Sequence, residues 1–257
     1  MPNKHFVHLD WFRTEFDLAY GFSKDWDVEL DIPYDVKTVT ARYELPDGTP
    51  FDNPQGDLHH RDERLQGFSD LKLLANYRPG GVLMKDDRLH VGIGLSLPVG
   101  ETEEDPWKLG NQGLKHQHIQ FGTGTWDPIL GAAAGRRFGE AAFTLSAVTR
   151  LVFGENGHGY RAGHRFWAEA MVSRRLVGSW SGRLGLDVAR EEPERWGGRV
   201  RIEEGNLGRT DLLAIAGVDH RVAGAGSLWL TARVPLVTDS EGAQVDYPVI
   251  FTVGWAF

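Results

Sequence analysis

An all-β fold, a single antiparallel up-and-down transmembrane β-barrel of about twelve strands spanning residues 1–257, is what three features of this sequence predict. Apolar and polar residues alternate with period two from one end to the other. The connections between alternating segments are short and long in turn. The last segment, "DYPVIFTVGWAF", stays apolar at every second residue up to a terminal aromatic, and reads as the strand that closes the wall against the first.

In 12–22, Phe16, Leu18 and Tyr20 alternate with Glu15, Asp17 and Ala19. In 25–36, Val28, Leu30, Ile32 and Tyr34 alternate with Asp27, Glu29 and Asp31. Segment 67–78 follows. In 88–99, Leu89, Val91, Ile93, Leu95, Leu97 and Val99 are set against His90, Gly92, Gly94, Ser96 and Pro98. Segments 125–136, 141–153, 163–175, 179–190, 209–220 and 226–237 repeat the pattern, and 246–257 ends it. Each is near the ~9 to 11 residues that a tilted strand needs to cross a bilayer. Short links at 22–24, 136–140, 176–179 and 222–225 read as periplasmic turns, with 79–87 slightly longer. Long links at 37–66, 100–124, 154–162, 191–208 and 238–245 read as external loops. An even strand number then asks for one more, weaker strand within 2–11.

Composition narrows the function. With no cysteine there is neither a disulfide framework nor a thiolate metal site. A formal net charge of -8 argues against nucleic-acid binding driven by phosphate contacts. No stretch approaches the roughly 20 apolar residues of a transmembrane helix. No basic-then-apolar leader opens the chain, so an exported protein is expected here as a mature form or with its start assigned too far downstream. No phosphate loop or nucleophile elbow is present, so neither a cofactor nor an enzymatic role is expected.

The terminus, with Tyr247, Phe251, Val253, Gly254, Trp255 and Phe257, resembles the signal that the assembly machinery of bacterial outer-membrane barrels reads. The blocks "GFSDLKLLANYR", "LHVGIGLSLPVGETEED" and "GTGTWDPILGAAAGRRF" resemble the transporter-like barrel family named for the MetA pathway of phenol degradation. There a G-x-x-D strand is followed by a strand ending in Leu-Pro-x-Gly and by a Gly/Asp-Pro strand. The resemblance implies an outer-membrane channel for small, hydrophobic or aromatic compounds, in a Gram-negative bacterium.

The polar face supplies the candidate site. Glu15, Asp17, Asp27, Glu29 and Asp31 form an acidic wall of the expected lumen, and Arg150, Arg165, Arg183 and Arg233 a basic one, with Glu169 and Asp187 among them. This arrangement reads either as a transverse field that orients polar solutes or as a ladder of salt bridges. Trp167 and Trp229 share the polar parity. Trp26, Tyr34, Tyr77, Phe143, Phe153, Phe166, Tyr247, Trp255 and Phe257 read as interfacial girdles. The histidines at 59, 60, 116, 118, 158 and 164 are expected to be solvated loop residues rather than metal ligands. Expected partners are outer-membrane lipid, the assembly machinery and a small solute, with no nucleic acid. Two other readings stay open at this point: a soluble barrel with an apolar ligand inside, and a lipid-active enzyme carrying a Ser–His pair.

Overall fold

The computed structural model describes residues 4–52, 58, 61–80, 87–202, 205–240 and 249–257. In chain order the elements are β1 (Lys4–Gly21), β2 (Trp26–Glu44), β3 (Glu63–Phe68), β4 (Leu71–Tyr77) and β5 (Asp87–Leu97), then α1 (Pro106–Asn111). There follow β6 (Asp127–Phe138), β7 (Ala141–Arg150), β8 (Tyr160–Arg161), β9 (Arg165–Arg175) and β10 (Trp180–Glu191). The chain ends with β11 (Arg195–Trp196), β12 (Arg209–Val222), β13 (Gly226–Ser240) and β14 (Ile250–Ala256). One 12-stranded sheet runs β1-β2-β4-β5-β6-β7-β9-β10-β12-β13-β14, with β3 paired to β2. Every pairing along this path is antiparallel and joins successive wall strands, as in an up-and-down meander. Strands β8 and β11 form a separate two-stranded sheet in the long links.

Burial decides which face is outside. Asp35 and Asp127 are fully buried on the polar face. On the apolar face Leu184 keeps 67% and Phe251 69% of its surface exposed. A soluble barrel requires the reverse. Period-two alternation therefore sorts one set of side chains into an enclosed polar interior and the other onto an apolar exterior. Leu95 and Ser96 obey this parity, but Ser96 is only 1% exposed, because it sits between Lys72 and Asp127 in the ladder.

Several boundaries differ from the sequence reading. Residues 4–11 are not a separate strand; they are the far half of β1, paired with Lys37–Glu44 of β2. The sequence reading places those β2 residues in a loop, yet Thr38, Val39 and Thr40 are β-branched and suit an extended strand. Segment 67–78 is divided at Ser69 and Asp70, between β3 and β4. Pro33 of β2 faces that break, and having no N–H it cannot donate to a ladder there. Pro235 of β13 likewise sits at the register shift beside Leu212 and Leu213.

The sequence reading has the last strand close the wall against the first. Among the described residues no hydrogen-bonded pairing joins β14 to β1. The meander's path makes an even number of reversals between β1 and β14, so these two run in the same direction. They cannot form the antiparallel ladder used elsewhere. Of the terminal-signal residues, Phe251, Val253 and Trp255 lie on the apolar face, opposite Ala232, Leu230 and Leu228. Gly254 faces inward opposite Trp229, whose ring occupies the place where a Cβ would stand. Trp229 thus fills the interior over a glycine that no larger residue could replace without displacing it. Tyr247 lies outside the described residues.

Candidate functional site

The ladder registers bring the predicted charges onto one continuous face. Asp17 stands opposite Asp31, Glu15 opposite Pro33, and Asp27 and Glu29 share the face on β2. The carboxylates of Glu15, Asp17 and Asp31 converge, with ligand atoms within 4.8 Å of one another. Lys72 of β4 supplies their cation, 3.1 Å from Asp31 and 3.4 Å from Glu15. Nearer the β1–β2 turn, Arg78 lies 2.8 Å from Asp27 and 3.7 Å from Glu29. The Asn76 amide donates to both of these acids at 2.9 Å, and His90 lies 2.9 Å from its oxygen.

The basic residues are distributed by the same registers. Arg150 and Arg165 stand directly opposite each other across β7 and β9, at the long-loop end. Arg165 donates to Glu191 at 2.8 Å. The Nε of Arg150 has no hydrogen-bond partner among the described residues. Arg233 reaches from β13 to Asp187 at 3.2 Å and Glu169 at 3.4 Å. Arg183 pairs with Asp219 near the opposite end. Most charges thus meet a local partner, so the salt-bridge ladder describes the wall better than two opposed plates. The acidic group occupies the short-turn half of β1 and β2, while at the long-loop end Lys37, Arg150 and Arg165 stand among the acids Asp35, Asp70, Asp127 and Glu191. Lys37 and Arg165 sit close enough across the interior to repel each other.

The sequence did not reveal how the long links close over this end. Asp35 accepts hydrogen bonds from Trp11 at 2.9 Å, from Arg13 at 2.7 and 2.8 Å, and from Ser69. Two residues further along β2, the Lys37 ammonium donates to the Gln120 carbonyl at 2.9 Å. It also lies 4.4 Å from the Phe121 ring and 5.2 Å from that of Trp11. Segment 116–123 of the β5–β6 link is therefore laid against the interior face of β2 and β3. Asp70, at the β3–β4 break, holds it there. Its carboxylate accepts from the Gly100 N–H at 3.1 Å and the Thr123 N–H at 2.8 Å. The Thr123 hydroxyl lies 3.0 Å from Asp70 and 2.9 Å from Asp127. Gly100 and Gly122 pack backbone to backbone, where a Cβ on either would stand 2.7 Å from the other. The G-x-x-D, Leu-Pro-x-Gly and Gly/Asp-Pro blocks, far apart in sequence, meet in this one knot.

Above it the links share a small core. Val152, Tyr160, Ala162 and Trp196 are buried together, with Trp107 packed against them. Trp107 meets Trp196 edge-on at 5.8 Å and His118 at 5.2 Å. Helix α1 positions Trp107: Asp105 caps it, accepting from the Trp107 and Lys108 N–H groups, and Pro106 opens the first turn. "DPWK" carries that signal in the sequence. His116 rests beside His118, and His164 accepts the Val152 N–H at 2.9 Å. These three histidines are packing elements of the cap rather than solvated residues; His59 and His60 lie outside the described residues.

Burial raises the Glu194 carboxyl above its ordinary 4.5, against the opposing hydrogen bonds from Asn206 and Trp196. A raised acid binds more protons folded than unfolded, so its contribution is intact below the ordinary value and declines as pH rises through the raised one. The cap is therefore expected to loosen as pH climbs from 4.5, and Glu194→Gln to flatten that dependence. Limited proteolysis of 192–208 against pH measures it; an unchanged profile in the variant sinks the assignment.

Sequence reading also missed a Ser–His pair. Ser179 Oγ lies 3.2 Å from His220 Nδ1 on the outer wall, and the imidazole stacks on Trp180 at 4.3 Å. Among the described residues no carboxylate orients its other nitrogen, which a nucleophilic Ser–His system requires.

No protein-family model matches the chain, and no curated protein matches it significantly. Among solved structures, the COG4313 outer membrane channel from Pseudomonas putida F1 is similar with a TM-score of 0.63 at 13% identity, over 96% of this chain and 82% of that one. OmpT, an outer membrane protein of Vibrio cholerae, gives a TM-score of 0.44 at 10% identity, over 98% and 96% of the two chains. The first likeness is one of fold, and with the inside-polar, outside-apolar wall it makes this an outer-membrane β-barrel fold.

Proposed function

We propose that the protein is an outer-membrane channel that passes small solutes passively, and that it favours aromatic carboxylates over aromatic amines. The observation that carries this reading is the long-loop end of the interior. There Arg150 and Arg165 face the enclosed space side by side, with Trp167 following Arg165 on the same face. Lys37, Trp11 and Phe121 stand on the facing side. Cations attract the carboxylate, and the ring faces take the apolar body. The motif resemblance to the phenol-degradation barrels supports an aromatic solute, and the likeness to the Pseudomonas putida channel supports a channel. A concentration gradient drives the flux. The terminal strand directs the chain to the assembly machinery.

The test is a planar bilayer holding the folded protein, with benzoate and benzylamine salts on opposite sides. Benzoate is expected to be the more permeant ion. Arg150→Gln, which removes one of the paired cations, is expected to lower that preference by several fold. Absence of conductance from folded protein, or equal permeability of the two ions, overturns the proposal.

A further inference from the structure

We propose that the outer wall between β9 and β14 binds one phospholipid, with an acyl chain in a groove and the phosphate on Arg174. This rests on the reading that the apolar face meets a membrane. The groove is a shallow, open one of about 600 Å³, and its lining is almost wholly apolar. Register explains it. One row of outward residues reads Val172, Leu184, Ala216, Ala232 and Phe251 from β9 to β14. The adjacent alanines leave a trough between Leu184 and Phe251. The neighbouring row reads Arg174, Gly182, Val218, Leu230 and Val253; the Leu176 side chain lies over Gly182, and it and Arg174 border the same groove.

Arg174 has the parity of these apolar residues and is exposed. Among the described residues no carboxylate or hydrogen-bond acceptor engages its guanidinium. Arg136, another cation at this end of the wall, on β6, has Asp87 at 3.8 Å. One row nearer the turns, Trp180 and Trp255 flank His220 and Leu228 as an interfacial aromatic row. A long side chain at this depth reaches the headgroup level. An arginine facing lipid without a partner is matched by a phosphodiester, which it can hold in bidentate fashion. A continuous trough leading away from it toward the bilayer centre is matched by an acyl chain. The charge and the trough together specify a phospholipid of the short-turn leaflet rather than a detergent-like chain or a free anion.

Protein folded in phosphatidylglycerol vesicles, transferred to micelles and examined by native mass spectrometry reads the retained lipid directly. Wild type is expected to keep one phospholipid. Arg174→Gln is expected to lose about tenfold in retention, one charge-assisted hydrogen bond's worth. The Ala216→Leu, Ala232→Leu double variant is expected to lose it as well. Arg174 is exposed, so its replacement leaves folding intact should the double variant not fold. Equal retention in wild type and Arg174→Gln overturns the proposal, as does equal retention of neutral diacylglycerol. Binding of inorganic phosphate alone with the same affinity assigns Arg174 to a free anion and also overturns it. Heat-modifiable mobility after vesicle folding is read on the same samples. Failure to insert sinks the membrane reading itself, whereas insertion without retention sinks the lipid site alone.

Discussion

Asp70→Ala is expected to destabilise the folded protein by about 3 kcal/mol and to free the β5–β6 link from the interior. The carboxylate is buried and receives two backbone N–H groups, those of Gly100 and Thr123, beside the Thr123 hydroxyl. Alanine leaves these donors without a partner in a site that water reaches poorly, so each retains its desolvation cost. Gly122→Ala attacks the same knot sterically, because its Cβ would collide with the Asp70 Oδ1 and stand 2.7 Å from the Gly100 carbonyl. Denaturant unfolding from vesicles gives the stability, and protease cleavage within 98–126 gives the release. The two substitutions should agree. An unchanged midpoint together with unchanged cleavage in Asp70→Ala would falsify the knot as the anchor of the link.

The second large effect belongs to the outer wall. Leu95→Arg, placed outward on β5, is expected to cost about 2–4 kcal/mol, as a cation near the middle of the lipid face does. Ser146→Arg, on the inward face of β7 and opposite Glu169, is expected to cost far less, since a carboxylate waits across the strand pair. Ser96 is unsuited to this comparison, despite its inward parity, because it is almost fully enclosed. Refolding yield and denaturant midpoint in the same vesicles distinguish the two positions. Equal losses would mean that burial, and not the identity of the surrounding medium, sets the cost.

Why some of this was readable in advance and some not follows from range. Alternation is a property of adjacent residues, so the parity of Glu15, Asp17, Asp27, Glu29, Asp31, Arg150, Arg165, Arg183 and Arg233 was visible without a structure. Their partners were not. Arg78 meets Asp27 across the β2–β4 pair, and Arg233 meets Glu169 across β12 and β10, only because the registers place them together. The far half of β2 escaped because Lys37 and Val39 both face inward there, and a buried valine beside a buried lysine blurs the alternation. The knot was present as three short motifs, but nothing local says that an aspartate at 70 serves amides at 100 and 123. The cap of packed loops had a single legible fragment, the Asp105–Pro106 helix start.

The acids of β1 and β2 are grouped in the short-turn half of the interior, whereas acids and cations are intermingled at the long-loop end. Such an interior is electrically lopsided along its axis. In the proposed channel an anion crossing from the loop side meets the repulsive acids last, and one crossing from the other side meets them first. The currents at equal and opposite voltages then differ, in a sense set by where β1 and β2 place their acids.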